Sequence, residues 1–460
     1  MSSFKPIKVL DRCNIAPPPG SVTTTSTVLP LTFFDIHWLP LSPVELLFFY
    51  EFPYPISQFM QSHLPNLKRT LSSTLIHFYP LAGNLSWPME SNKPMICYTK
   101  GDSVSFTLAE SNANFNHLSS NDLRNAIDSR PLVPHLPASG SIVPMLAIQV
   151  TIFPNSGICI GVTHHHSICD GRGFTHFMKT WASISTLESS EPLPLLDRTV
   201  VKDHDGITKI FLDELDGFMG SQSMFGNRRL RVMDIELKPN MVRATFELNE
   251  ETSKRLKERF NPPSRLVAIC AYTWVCLVKA EAKTGGSKSN STHFVVNVDC
   301  RARLDPIIPK TYFGNCVIGC VVNAEKTDLI KGGVAMATQL IRSAIQKVEE
   351  EGILRGLEDS LSSLLKMKSS NSRRLGAAGS PQFGFYKIDL GFGRPKKVEM
   401  ASNDRTGSMF LKESSNLDGG IEFDLVLNRQ EMDAFVSLFV DGLHALKKEP
   451  LCPSTLRPLL

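Results

Sequence analysis

The chain has 460 residues, more than a single hydrophobic core usually serves, so length favours two or three domains. Its 42% apolar and 20% charged residues are those of an ordinary soluble globular protein rather than a disordered or fibrous one. The formal net charge is only +4, and the basic residues are scattered rather than interleaved with aromatics, which gives no basis for nucleic-acid binding.

Residues 14–30 read as loop, with Pro17-Pro18-Pro19-Gly20 followed by a Ser/Thr run. Leu46–Tyr50 is strand-like, and Phe59, Met60, Leu64, Leu67, Leu71, Leu75 and Phe78 keep helical spacing within 56–79. Short strands are expected at 96–98 and 104–108, and a longer one at 145–153. The last pairs through Pro154-Asn155-Ser156-Gly157 with an apolar, β-branched strand at 158–163. After it, Phe174, Phe177, Met178, Trp181 and Ile184 recur at three- and four-residue spacing, an amphipathic helix with Asp170 at its N-cap position.

Residues 186–242 mix Pro, Gly and charge with little sustained periodicity, as a long crossover between two lobes would. Beyond it come a strand at 242–248, a charged helix at 250–260, a buried helix at 267–280, a loop at 283–291 and a strand at 294–298. Helices follow at 334–350 and 353–367. Ile421–Leu427 alternates with period two, a strand with one wet face, and the next helix sets Met432, Phe435, Leu438 and Phe439 on one side. No fixed-period repeat is present. The fold class is therefore α/β or α+β in two lobes, divided as 1–185, a crossover at 186–242, and 243–460.

Ten cysteines without a CxxC pair fit reduced thiols better than disulfides or a zinc site. Met1–Arg12 has no apolar core of signal-peptide length, and the apolar run Val267–Val278 falls far short of the ~20 residues a bilayer needs. The expectation is a cytoplasmic protein with no membrane partner.

Chemistry concentrates at His164-His165-His166-Ser167-Ile168-Cys169-Asp170-Gly171, where a strand end turns into a helix. On a strand, His164 and His166 would face one side and His165 the other. Three readings are open. Two histidines and Asp170 could form a metal-binding facial triad, although further ligands are not evident. The histidines could instead fill a strand end while Asp170 caps the helix. Alternatively, one imidazole is a general base, since it titrates near pH ~6.5 and can accept a hydroxyl proton at neutral pH. There is no G-x-S-x-G elbow, so a serine-hydrolase triad lacks its nucleophile, and Cys169 beside Asp170 reads as an inert thiol.

His166-Ser167-Ile168-Cys169-Asp170-Gly171 resembles the HxxxDG motif of the plant BAHD family of acyl-CoA-dependent acyltransferases. Asp389-Leu390-Gly391-Phe392-Gly393, about 220 residues later, partly meets that family's DFGWG signature. Thr311-Tyr312-Phe313-Gly314-Asn315-Cys316 contains the YFGNC motif of the clade that acylates anthocyanins and other flavonoid glycosides. Leu29–Leu39 and Tyr79–Leu85 are also similar to segments of that clade, so the likeness spans nearly the whole chain.

The resemblance implies two chloramphenicol-acetyltransferase-like lobes of similar size with a solvent channel between them and His166 midway along it. It implies that His166 is the general base, that acyl-CoA is the co-substrate with no bound cofactor or metal, and that the protein is a monomer acting on small molecules. Asp170 would orient the corner by pairing with an arginine, Arg301 first and Arg303 second. Asp389, Gly391 and Gly393 would form a structural turn. Phe392 stands where the family has Trp, so no indole N–H is available there. Arg172, Phe392 and Asn315 are the candidate substrate contacts, with Arg172 placed either to receive a malonyl carboxylate or as a plain surface cation. Malonyl-CoA is the favoured donor and hydroxycinnamoyl-CoA the alternative. An amine N-acyltransferase and a catalytically inactive binding relative are the other readings.

Overall fold

A computed structural model describes residues 7–22, 26–188, 191–219, 223–224, 226–233, 235–353, 355, 357, 359–366 and 372–448. Two large mixed sheets dominate it. The first, of six strands, runs in the order Lys8–Ile15, Val104–Glu110, Leu146–Phe153, Gly157–His164, Val44–Glu51, Lys397–Met400. The second, of seven, runs Val317–Glu325, Ser291–Asp299, Arg373–Gly379, Met409–Glu413, Ile421–Asn428, Met241–Leu248, Arg124–Asn125. Each sheet therefore ends in a strand from the other half of the chain: Lys397–Met400 pairs antiparallel with Val44–Glu51, and Arg124–Asn125 with Met241–Leu248.

The predicted helix after the histidines forms as Gly171–Thr186 and buries Phe174, Phe177, Met178 and Trp181, the stripe that the spacing prescribed. It stops at Leu187 in the left-handed region, φ 57°. The buried helix around 267–280 extends to Arg265–Thr284, capped by Ser264, and packs the second core with Phe423, Phe435 and Phe439. The expected 56–79 helix runs in three consecutive pieces from Ile56 to Thr74 and ends before the sequence stripe does. The expected 334–350 helix is longer, Lys326–Glu351, with Gly333 non-helical inside it. Of the expected 353–367 helix, Ser360–Lys366 is helical; Gly352 at φ 91° separates it from the helix before, and residues 354, 356, 358 and 367 lie outside the described residues.

Three readings are corrected. The 14–30 stretch is not all loop, because Lys8–Ile15 reaches into it and Ser26–Pro30 pairs with Met95–Thr99. The crossover contains a helix, Ile207–Met219, that buries Ile207, Phe211, Leu215 and Met219; a four-residue spacing is present there but is crowded by charge. The second face of Ile421–Asn428 is dry. Its polar residues Glu422 and Asp424 are buried with Lys412, whose Nζ donates to Asp424 at 2.8 Å, and Asp424 also pairs with Arg243 and Lys397. Alternation reports polarity, and here polarity meant buried ion pairs instead of water. That network joins the halves through Arg124, which pairs with Glu399, while Arg243 pairs with Asp404 within the second half.

Candidate active site

Gly157–His164 delivers the histidines. It is hydrogen-bonded on both sides, with His164 opposite Val44 and Leu146, and is buried along its whole length. Gly161 is required there, since a Cβ would strike the carbonyl oxygen of Leu132. The strand ends at His164. The His165 N–H donates to the Met145 carbonyl at 3.0 Å, and the Ile168 N–H donates to the His165 carbonyl at 3.1 Å, closing a turn. His166 thus lies past the strand, so strict alternation with His164 does not apply to it.

The three imidazoles have different surroundings. His164 stacks on Phe174 with centroids 4.8 Å apart. His165 Nδ1 accepts the Ser167 N–H at 3.3 Å and lies 2.9 Å from the Ser167 hydroxyl. These two rings are enclosed, at 2% and 1% exposure, whereas His166 is half-buried and retains solvent contact. His166 lies flat on Trp38, centroids 4.4 Å apart and planes 6° from parallel, and His37 meets Trp38 edge-on at 5.0 Å. Burial pushes the His166 pKa down to about 4, against the opposing pull of its own carbonyl oxygen and of Asp170. His37 is lowered to about 4 by burial and then by His166, and His165 to about 3 by the same two causes. His164 falls well below its usual value, again chiefly through burial. The cluster is neutral at neutral pH, the state in which an imidazole can take a proton.

Both carboxylate oxygens of Asp170 are engaged by donors other than His166. Oδ1 caps the helix, accepting the Arg172 and Gly173 N–H groups at 3.1 Å each. Oδ2 accepts the Cys316 N–H at 3.0 Å and pairs with Arg301 at 2.8 Å. Arg301 also donates to the carbonyls of Tyr312 and Gly314, while Arg303 pairs with Glu349 instead. Arg172 is half-buried, and its Nε donates to Asp299 at 3.2 Å. Cys169 is buried beside Asp170, and burial raises its thiol pKa well above the usual value. Among the described residues no group of three His, Cys, Asp or Glu side chains is placed to hold a metal ion.

Asp389 Oδ1 accepts three N–H groups, from Gly391, Phe392 and Gly393, at 2.8, 3.1 and 2.9 Å. Gly391 and Gly393 sit at φ 96° and 89°, which is why glycine is needed at both. Phe392 packs among Tyr50, Phe52, Phe59 and His63, ring contacts in which His166 takes no part. Asn315 is fully buried. Its backbone N–H and its Nδ2 donate to Asp35 Oδ1 at 2.9 and 3.0 Å, and Nδ2 also donates to the His166 carbonyl at 3.0 Å.

Sequence reasoning did not single out Asp35, His37, Trp38 or Arg198. The first three lie in the quoted 29–39 stretch, where a carboxylate and two rings among apolar residues were the available signal. Arg198 lies in the crossover, where nothing marks it. Yet it is buried, donates to the Ile168 carbonyl at 2.9 Å and the Tyr312 hydroxyl at 3.0 Å, and stands 3.6 Å from Asp35.

The fold is similar to that of vinorine synthase, with a TM-score of 0.69 at 20% identity over 94% of this chain and 98% of that one. It is also similar to F. graminearum TRI101 complexed with coenzyme A and T-2 mycotoxin, with a TM-score of 0.67 at 15% identity over 88% and 96%. Two chloramphenicol-acetyltransferase-like lobes of mixed α/β structure are thus its architecture. Residues 10–441 match the Transferase family, and the chain belongs to it, as a BAHD acyltransferase.

Among curated relatives, a malonyl-coenzyme:anthocyanin 5-O-glucoside-6'''-O-malonyltransferase of Salvia splendens is 36% identical over 95% of this chain and 96% of that one. A phenolic glucoside malonyltransferase 1 of Arabidopsis thaliana is 34% identical over 95% and 98%. A coumaroyl-CoA:anthocyanidin 3-O-glucoside-6''-O-coumaroyltransferase 1 of the same plant is 34% identical over 96% and 99%.

Proposed function

We propose that this enzyme transfers an acyl group, malonyl foremost, from CoA to a sugar hydroxyl of a flavonoid, anthocyanin or other phenolic glucoside, with His166 as general base. The observation that carries the reading is that His166 alone of the three adjacent histidines is not fully enclosed, at a corner where Asp170 caps the next helix and pairs with Arg301. The named glucoside malonyl- and coumaroyltransferases support the substrate class.

The chemistry follows from what a hydroxyl lacks. Nε2 of His166 takes its proton as the oxygen attacks the thioester carbonyl. The tetrahedral intermediate then expels the CoA thiolate, which recovers that proton from the imidazolium, so the base is regenerated. Both substrates bound together make the step effectively intramolecular, and no acyl-enzyme is needed. Asp170, with both oxygens engaged, orients the corner and relays no proton. Arg301, Asp389, Gly391 and Gly393 hold structure.

A hydroxycinnamoyl donor is the second reading. Trp38 and His37 make the wall beside His166 aromatic, and Arg172 would have to leave Asp299 to receive a malonyl carboxylate. We keep the chain's division as 1–185, 186–242 and 243–460, with the two exchanged strands tying the lobes, a channel between them, and a cytoplasmic monomer as the working form. Among the described residues no helix is long and apolar enough to cross a membrane.

The test is a mass-spectrometric screen of malonyl-, coumaroyl-, caffeoyl- and acetyl-CoA against flavonoid glucosides and an amine panel. A glucoside gaining the malonyl mass is expected. A gain only on amines, or none with any pairing, would remove the reading. Folded His166→Ala should give no product, and turnover in it would end the base assignment.

A further inference from the structure

An imidazole can act as a base toward a substrate only through the nitrogen that lacks the proton, so something must decide which nitrogen carries it. Nδ1 of His166 is buried and finds no hydrogen-bond partner in another described residue. The acceptor nearest in the chain for an Nδ1 proton is the residue's own carbonyl oxygen, whose pull raises the His166 pKa against burial, and that oxygen accepts from Asn315 Nδ2 at 3.0 Å.

Asn315 is itself held. Asp35 Oδ1 accepts both its backbone N–H at 2.9 Å and its Nδ2 at 3.0 Å. The other Asp35 oxygen accepts the Thr32 N–H at 3.0 Å and hydroxyl at 2.8 Å, with Arg198 at 3.6 Å. Both Nδ2 hydrogens of Asn315 are therefore committed, one to a carboxylate and one to the His166 carbonyl. The orientation of the amide is fixed by chemistry, since a flipped Oδ1 would face two acceptors. In this orientation Oδ1 is buried without a partner among the described residues. A group this enclosed has no N–H left for a substrate.

We propose that Asn315, clamped by Asp35, is a positioning residue that fixes the His166 carbonyl against Nδ1, keeps the proton there, and leaves Nε2 free as the base. This rests on His166 being the general base and assigns the role of the YFGNC asparagine at that same site. The same carboxylate caps the Phe33–His37 helix through Thr32, and Trp38, the residue stacked on His166, follows that helix directly. One buried acid thus governs both the edge and the face of the catalytic ring.

Asn315→Leu keeps the volume and removes the donor. It should lower kcat about tenfold or more while KM for acyl-CoA and glucoside stays within about twofold. In protein labelled with 15N-histidine, two-bond proton–nitrogen correlation spectra should show His166 as the Nδ1–H form in the parent and as a mixture with Nε2–H in Asn315→Leu; His166→Gln assigns the signals. Should the leucine variant not fold, the exchange Asp35→Asn with Asn315→Asp keeps a buried acid–amide pair but no donor to His166, and the same two results are expected.

Parent-like kcat, or an inactive variant whose His166 remains wholly Nδ1–H, would overturn the assignment. His166→Ala run alongside separates the two claims. If it retains turnover, the base reading fails; if it is inactive while Asn315→Leu is parent-like, only the positioning role fails.

Discussion

The indole of Trp38 lies against the imidazole of His166 with ring planes 6° apart and centroids 4.4 Å apart. Parallel stacking at this distance restrains χ2 of the histidine, because rotating the ring would drive its edge into the indole face. Asp170, usually the first neighbour considered for such a histidine, makes no comparable contact; its oxygens are engaged by the helix N-terminus, Cys316 and Arg301. The face of the base is thus set by an aromatic and its corner by an ion pair.

Trp38→Ala should therefore damage catalysis as well as stability. Removing a nine-tenths-buried indole destabilises by about 3–5 kcal/mol. The freed His166 ring should also lower kcat in whatever fraction stays folded at low temperature. Trp38→Phe retains a stacking face and should keep most of kcat. Steady-state kinetics at 10 °C together with thermal melts check this, and equal kcat for Trp38→Ala and the parent would show that the stack does not restrain the ring.

Asp170 gives a graded series. Asp170→Asn keeps an oxygen for the cap but loses the charge facing Arg301, and Asp170→Ala loses both. Breaking a buried pair from one side costs about 3–5 kcal/mol, and losing the cap about 1 kcal/mol more. Chemical denaturation should rank parent, Asn, Ala in falling stability, with activity tracking the folded fraction. A stable yet inactive Asp170→Ala protein would place Asp170 in the chemistry.

The site was legible wherever local spacing and capping decide structure. Asp170 as N-cap, the Phe174–Trp181 stripe and the buried strand before the histidines follow from nearest-neighbour rules. Arg301 as the partner of Asp170 came from family resemblance, since no local rule joins residues so far apart in the chain. What escaped was long-range. Lys397-Val398-Glu399-Met400 is short and charged, and nothing in it says that it will close the N-terminal sheet. Glu422 and Asp424 looked like a solvated face because their cationic partners lie on other strands. Arg198 sits amid loop-like residues, and only the fold shows that it holds the Ile168 carbonyl.

Acid should weaken the folded state before it weakens the base. His37, His164, His165 and His166 all have folded pKa values below the ordinary 6.5, each with burial as the first cause. In the unfolded chain they protonate near pH ~6.5, so between there and about pH 4 the unfolded state binds more protons. Their contribution to stability is whole above pH ~6.5 and declines as pH falls toward about 4. The thermal midpoint should drop steadily over that window, while kcat/KM of the still-folded enzyme shows no acidic limb near 6.5. A limb centred at 6.5 with an unchanged thermal midpoint would mean that His166 titrates as an exposed imidazole.

Phe392 poses the sharpest comparison with the wider family, which carries Trp at that position. If an indole N–H there served the oxyanion, Phe392→Trp should raise kcat. The geometry gives the opposite expectation. Phe392 is wedged among Tyr50, Phe52, Phe59 and His63, and its backbone N–H is already held by Asp389. A larger ring in that cluster adds strain of up to about 1–3 kcal/mol, and its ring contacts do not include His166. Phe392→Trp should therefore lower the thermal midpoint while leaving kcat within about twofold of the parent, measured at saturating acyl-CoA. A tenfold gain in kcat would instead place this loop against the reacting carbonyl, and the turn closed by Asp389 would then belong to the catalytic machinery.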